Sequence, residues 1–307
     1  MAGVLTGFAI IAVIVLAGYI AGRSGVLGEG TGPLLSRSAF FVFSPCLLFT
    51  VLAEADVTVL FSSVLAVAAI SAISAGLLFV LIARLVWRKP VAETVIGALA
   101  SGYVNANNIG IPVALYVVGD IAFTAPVILL QLLVLAPIAL TVLDVSERGR
   151  TSIGRVLVQP LRNPIIIGSV LGVIVSVTGV QLPEPVMEPF RIIGAAAVPI
   201  VLVAFGMSLH GQRPLARGTA RRVTLTAVAI KTVFMPLVAW MAGSFVFGME
   251  GPLLFGVVVL ACLPSAQNVF VYAQRYDRGV TLARDAVFLS TALSLPLLIV
   301  VAWLLAG

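Results

Sequence analysis

Long apolar runs dominate the chain, most about the length of a bilayer crossing and each set off by a short polar stretch. A helix needs about 20 apolar residues to span hydrocarbon. The pattern predicts ten such helices, over about residues 3–22, 34–53, 59–87, 94–118, 121–143, 164–180, 189–209, 223–247, 252–274 and 283–306. The sixth is short, and the third is long enough to tilt or run past the bilayer. Two runs are interrupted by polar residues. Ser101–Asp120 carries Asn105, Asn107, Asn108 and Pro112 near the middle of the fourth span, and Ala261–Asp277 carries Pro264, Ser265, Gln267 and Asn268 in the ninth. An unpaired amide is costly in hydrocarbon, and proline removes a backbone hydrogen bond. Broken backbone at membrane depth is tolerated only where protein or a water-filled cavity surrounds it.

Composition agrees with the pattern. With 61% hydrophobic and 10% charged residues, the chain is an all-α polytopic membrane protein rather than a soluble domain. The net charge of +6 would suggest nucleic acid in a soluble protein. Here it reads as loop charge, and no nucleic-acid partner is expected. Of 18 basic residues, all but Arg191 and Lys231 fall in the loops after odd-numbered spans: Arg23 and Arg37; Arg84, Arg88 and Lys89; Arg148, Arg150, Arg155 and Arg162; Arg213, Arg217, Arg221 and Arg222; Arg275, Arg278 and Arg284. The opposite side holds Arg191 with Glu54, Asp56, Asp120, Glu184, Glu188 and Glu250. By the positive-inside rule the arginine-rich loops are cytoplasmic and both termini face out. Met1–Thr6 lacks the basic start of a signal peptide, and the run that follows is longer than a signal's apolar core. Cys46 and Cys262 lie far apart in apolar segments and read as small buried hydrophobes.

The halves also match each other. Arg37 followed by Pro45 has the spacing of Arg191 followed by Pro199, and Asn107, Asn108 and Tyr116 align with Gln267, Asn268 and Tyr276 at a single offset of 160 residues. Five spans per copy is an odd number, so the second copy would enter the membrane from the other face. The expected units are residues 1–150 and 151–307, joined by a short basic link.

The polar residues within spans are the candidate chemistry. Asn105, Asn107 and Asn108, with Ser265, Gln267 and Asn268, could line a site where the two interrupted spans meet, or could satisfy backbone freed by a kink. If the spans unwind and cross, helix N-termini bring positive dipole ends to mid-membrane, which suits an anion such as a carboxylate. Amide side chains add donors and acceptors without charge. Lys231 lies nine residues beyond Arg222, about 13 Å into the membrane. It could snorkel, hold structure, or supply charge to a substrate, and no acidic residue is expected beside it. Gln131, Ser290 and Thr291 are weaker candidates. Arg37 and Arg191 read as surface residues that snorkel or hold loops, and Asp120 and Asp277 as interfacial caps. An enzyme would need an intramembrane nucleophile with its base or a metal cluster; the one histidine, His210, is in a loop, and no catalytic residue, cofactor or metal is expected.

These motifs resemble the auxin efflux carrier family. The fourth span reads N-x-x-x-I-G-I-P over Asn105–Pro112; the ninth reads L-P-S-A-Q-N-V-F-V-Y-A-Q-R-Y over Leu263–Tyr276. The tenth carries D-A-V-F-L-S-T-A-L-S-L-P from Asp285 to Pro296, and the eighth K-T-V-F-M-P from Lys231 to Pro236. The family includes plant auxin exporters and bacterial permeases for organic acids such as malate and malonate. The resemblance implies a five-plus-five inverted repeat like the bile-acid symporter fold. Spans 1, 2, 6 and 7 would form a scaffold that makes a homodimer contact, and spans 3–5 and 8–10 a moving unit. The crossing prolines would be Pro112 and Pro264 and the crossover asparagines Asn108 and Asn268, with substrate carried past the scaffold by an elevator-like shift. The span-9 glutamate of the sodium-coupled branch is missing near Pro264, so sodium coupling is not expected. A nucleotide-binding loop is also missing, so ATP is not the direct energy source. The expected function is secondary transport of small organic anions. Its rivals are a sodium-coupled symporter and a non-transporting membrane sensor on the same fold.

Overall fold

The structure is a computed structural model that describes residues 2–28, 30–54, 63–148, 163–210, 215 and 221–305. Arg150, Arg155, Arg162, Arg213, Arg217 and Asp56 of the charge pattern lie outside the described residues. Within them the chain is helical, with a single isolated strand-like bridge. The helices are α1 (Ala2–Ser24), α2 (Thr31–Glu54), α3 (Leu65–Val86), α4 (Val91–Gly102), α5 (Ala106–Val118) and α6 (Ile121–Ser146). They continue as α7 (Pro164–Thr178), α8 (Glu184–Ser208), α9 (Arg221–Val246), α10 (Gly251–Cys262), α11 (Gln267–Tyr276) and α12 (Val280–Leu305).

Six of these, α2, α3, α6, α8, α9 and α12, are long and apolar enough to cross a membrane by themselves. Leu16, Leu85, Phe245 and Trp303 are among the many large apolar side chains on the outside. Such a surface would drive aggregation in water but suits lipid. The protein is a multi-pass membrane protein.

The fourth and ninth apolar runs are each split in two. Backbone at Tyr103 is extended between α4 and α5, and backbone at Leu263 and Ala266 is extended between α10 and α11. Pro264 explains the second break, since it lacks an N–H and disfavours helical geometry in the residue before it. The first break has no proline. There Asn105 ends the extended stretch by capping the next helix, its Oδ1 accepting the Asn108 N–H at 3.2 Å. Pro112 does not mark this break, contrary to the sequence expectation. It lies buried about two turns further on, inside α5, between two wide turns at Ala106–Gly110 and Ala114–Val118. Wide turns of this kind absorb the missing proline N–H without ending a helix.

Local structure recurs along the chain. The last turn of α3, Ile82–Val86, is wide, and closes with the Trp87 N–H on the Ile82 carbonyl and the Lys89 N–H on the Ala83 carbonyl. The last turn of α9, Ala242–Val246, closes with the same two bonds, Phe247 to Ala242 and Met249 to Gly243. Helices α4 and α10 follow, each 12 residues long. Packing pairs up in the same way: α1 lies along the second half of α8, and α7 along the second half of α2. Backbones touch at both contacts, because Gly206 meets the Val15 carbonyl and Gly168 meets the Pro45 carbonyl. Any side chain there would push the helices apart, the usual reason for small residues at membrane interfaces. Helices α1, α2, α7 and α8 thus form one packed group, and α3–α6 with α9–α12 a second, whose α5 packs back against α1 and α8.

Candidate functional site

The two broken stretches lie antiparallel against each other at Val104 and Ser265. The Asn105 N–H donates to the Pro264 carbonyl at 2.8 Å, and the Ala266 N–H donates to the Tyr103 carbonyl at 2.9 Å. Breaking a helix leaves carbonyls of its last turn without partners, and here buried side chains take them up. Ser265 Oγ donates to the Ala100 carbonyl of α4 at 2.5 Å, while the Ser265 N–H donates to Ser290 Oγ at 3.0 Å. Lys231 Nζ donates to the Ala261 carbonyl of α10 at 2.7 Å and lies 3.3 Å from Met235 Sδ. Lys231 is 0% exposed, so it does not snorkel. Its Nζ sits at the C-terminal, negative end of the α10 dipole instead.

Beside this junction is a cavity of about 360 Å³ between the two helix groups. The second group contributes Asn105, Asn107, Asn108, Gln131, Gln267 and Asn268, which the sequence marked, together with Tyr103. The first contributes Ser36, Arg37, Phe40 and Phe41 of α2 and Ile165 of α7. Six of the eight expected substrate-binding residues therefore meet in one wall. Ser265 and Lys231 do not line it; they stand behind it, spent on the orphaned carbonyls of the two breaks.

The amides form a chain across the junction. Asn107 Nδ2 donates to Asn108 Oδ1 at 2.9 Å, and Asn108 Nδ2 reaches Gln267 Oε1 at 3.4 Å. Two polar atoms in the wall stay unpartnered, Asn105 Nδ2 and Asn107 Oδ1. Asn105 is only 4% exposed, and a buried amide without a partner costs about 1–3 kcal/mol. The Tyr103 hydroxyl, next to Tyr272 and Asn268, also meets no partner in good geometry. No acidic side chain lines the cavity among the described residues.

A wider vestibule of about 780 Å³ shares Ser36, Gln267 and Val271 with the cavity. His210, Arg284 and Thr291 line it, so it opens on the arginine-rich side. Asp120 caps α6 through the Ala122 N–H, as expected, and Asp277 ends α11 in a left-handed turn. Arg191 holds a surface cluster, bonding to Glu54 at 2.8 Å and to Glu184, with Glu188 at 3.6 Å. Arg37 does not repeat that role; it faces the cavity. Asp285 is a fully buried carboxylate that hydropathy did not flag. Arg284 pairs with it at 2.9 Å and the Leu215 N–H reaches its other oxygen at 3.0 Å.

The model of the membrane transport protein family matches residues 4–150 and 146–302. An uncharacterized transporter of Methanothermobacter thermautotrophicus is 30% identical over 92% of this chain and 92% of its own length. A putative malonate transporter of Rhizobium meliloti is 27% identical over 67% of this chain and 66% of its own. A probable auxin efflux carrier component 5c of Oryza sativa is 28% identical over 45% and 38%. With matches on both halves of the chain and the motifs of both broken spans in place, the protein belongs to the membrane transport protein family, that of the auxin efflux carriers.

Proposed function

We propose that this protein is a secondary transporter of small organic anions, above all carboxylates, in the cytoplasmic membrane. One observation carries the reading: a cavity between two packed helix groups whose wall is built of amides at broken helix ends and holds no acidic side chain among the described residues. Neutral amides and helix N-termini suit a carboxylate, and an acidic wall would repel it. The relative named as a putative malonate transporter supports an organic anion as cargo.

The mechanism follows from where the cavity lies. A substrate wedged between α1, α2, α7 and α8 on one side and the remaining helices on the other is exposed or hidden by sliding one group past the other. In this reading the first group is a scaffold and homodimer contact, and the second is an elevator carrying the crossed breaks. The ten spans form two inverted copies of five, with both termini outside. The matching turns after α3 and α9 and the paired packing of α1 on α8 and α7 on α2 support that repeat. The vestibule on the arginine-rich side then makes this conformation inward-facing.

Thermal unfolding of the purified protein against a panel of mono- and dicarboxylates, with and without sodium, tests the proposal. Binding to the folded state raises apparent stability by mass action. A rise with a carboxylate that is indifferent to sodium is expected. A rise with sodium alone would replace this reading with a sodium-coupled symporter. Binding without flux in liposomes would replace it with a sensor.

A further inference from the structure

Arg37 carries a charge that no acidic side chain among the described residues neutralises. Its counterpart in the other half, Arg191, sits among three glutamates. Arg37 lines the cavity as an exposed residue, and among the described residues no acidic side chain pairs with it. Its neighbours in that wall include Phe40, Phe41 and Ile165, which give it no hydrogen-bonding partner. The second helix group lines the cavity with amide residues, among them Asn107, Asn108, Gln267 and Asn268. The other cation near the junction, Lys231, is committed to the Ala261 carbonyl and does not reach the cavity wall.

We propose that Arg37 is the counter-charge for the substrate, its guanidinium taking a carboxylate while the amides of the two breaks hold the rest of the molecule. This rests on the organic-anion reading above and adds the residue that reads the charge. A guanidinium presents a planar fork that matches a carboxylate with two parallel bonds, which a lysine does not. Because Arg37 belongs to α2 and the amides to the other helix group, a bound acid ties the two groups together. Charge recognition then sits on the group read as stationary, and shape recognition on the group read as moving. Among the described residues the cavity wall holds one unmatched cation, so a second carboxylate on a substrate would meet amides there.

Equilibrium binding to the purified full chain tests this, with malonate, lactate and phenylacetate as probes and the neutral amide of each as competitor. Wild-type protein is expected to prefer at least one acid over its amide by tenfold or more. Arg37→Gln should weaken that acid by about tenfold to a hundredfold, leave the amide unchanged, and so erase the preference. Arg37→Lys should fall between the two. Arg191→Gln, whose charge is already neutralised, should match wild type. Among the described residues Arg37 has no hydrogen-bonding partner that Gln would lose, and an unchanged melting temperature without ligand checks that the variant is folded. If Arg37→Gln keeps both the affinity and the preference, Arg37 is not the counter-charge, while the organic-anion reading stands. If none of the acids binds wild-type protein, the organic-anion reading fails and Arg37's role with it.

Discussion

The two breaks occupy corresponding places in the two halves and share a backbone path, yet they differ in chemistry. At the second break Pro264 interrupts the helix and Ser265 ties it down, with its hydroxyl on the Ala100 carbonyl and its N–H on Ser290. At the first break no proline is present, and Asn105 caps the new helix while its own amide nitrogen stays buried and unpartnered. The Ser265 groups are used up in holding the junction. The Asn105 and Asn107 amides are only half used. The two breaks thus divide the labour: the second ties the junction down, and the first leaves buried polar groups unpaired.

That contrast can be broken by substitution. The largest expected effect on stability is from Ser265→Val, which fits extended backbone but leaves the Ala100 carbonyl buried without a partner. A loss of about 1–3 kcal/mol is expected, read as a lower melting temperature, with ligand affinity per folded molecule unchanged. Asn108→Ala should do the opposite. Its bond to Gln267 is long, so stability should change little, while carboxylate affinity measured by titration should fall about tenfold, or roughly 1.4 kcal/mol. Equal loss of stability and affinity in both variants would abolish the division of labour.

Smaller effects sharpen the comparison. Pro264→Ala should cost about 0.4–1 kcal/mol of stability, because the unfolded chain gains freedom where the native backbone already suits proline. Pro112→Ala should leave both the fold and the binding affinity within error of wild type, since the break forms at Tyr103–Asn105 without it. Melting curves and titrations of the two proline variants separate these outcomes.

Much of this was legible in the sequence. Apolar runs gave the helices, polar residues inside them gave the two breaks, and Asn105, Asn107, Asn108, Gln131, Gln267 and Asn268 fell together in one cavity wall. The family resemblance points to Pro112 as the crossing proline, whereas the break lies at Tyr103–Asn105. The repeat offset already held the answer, since it sets Val104, not Pro112, opposite Pro264. For Lys231 and Ser265 the sequence leaves a substrate role and a structural one open, and both side chains are spent on backbone carbonyls. Hydropathy marks a polar group as needing satisfaction, and cannot say whether ligand or broken backbone supplies it. Arg37 and Arg191 read alike from their equal spacing, whereas among the described residues the glutamates that neutralise Arg191 have no counterpart around Arg37.

The central claim is that the amide-lined cavity between the two helix groups carries small organic anions across the membrane. Uptake of radiolabelled carboxylates into liposomes containing the purified protein tests it most directly, run in sodium and in potassium and repeated with Asn108→Ala. The account predicts saturable uptake of at least one acid, equal in both salts and lost in the variant. Uptake that survives Asn108→Ala unchanged, or no uptake of any acid by wild-type protein that is folded and inserted, would contradict it.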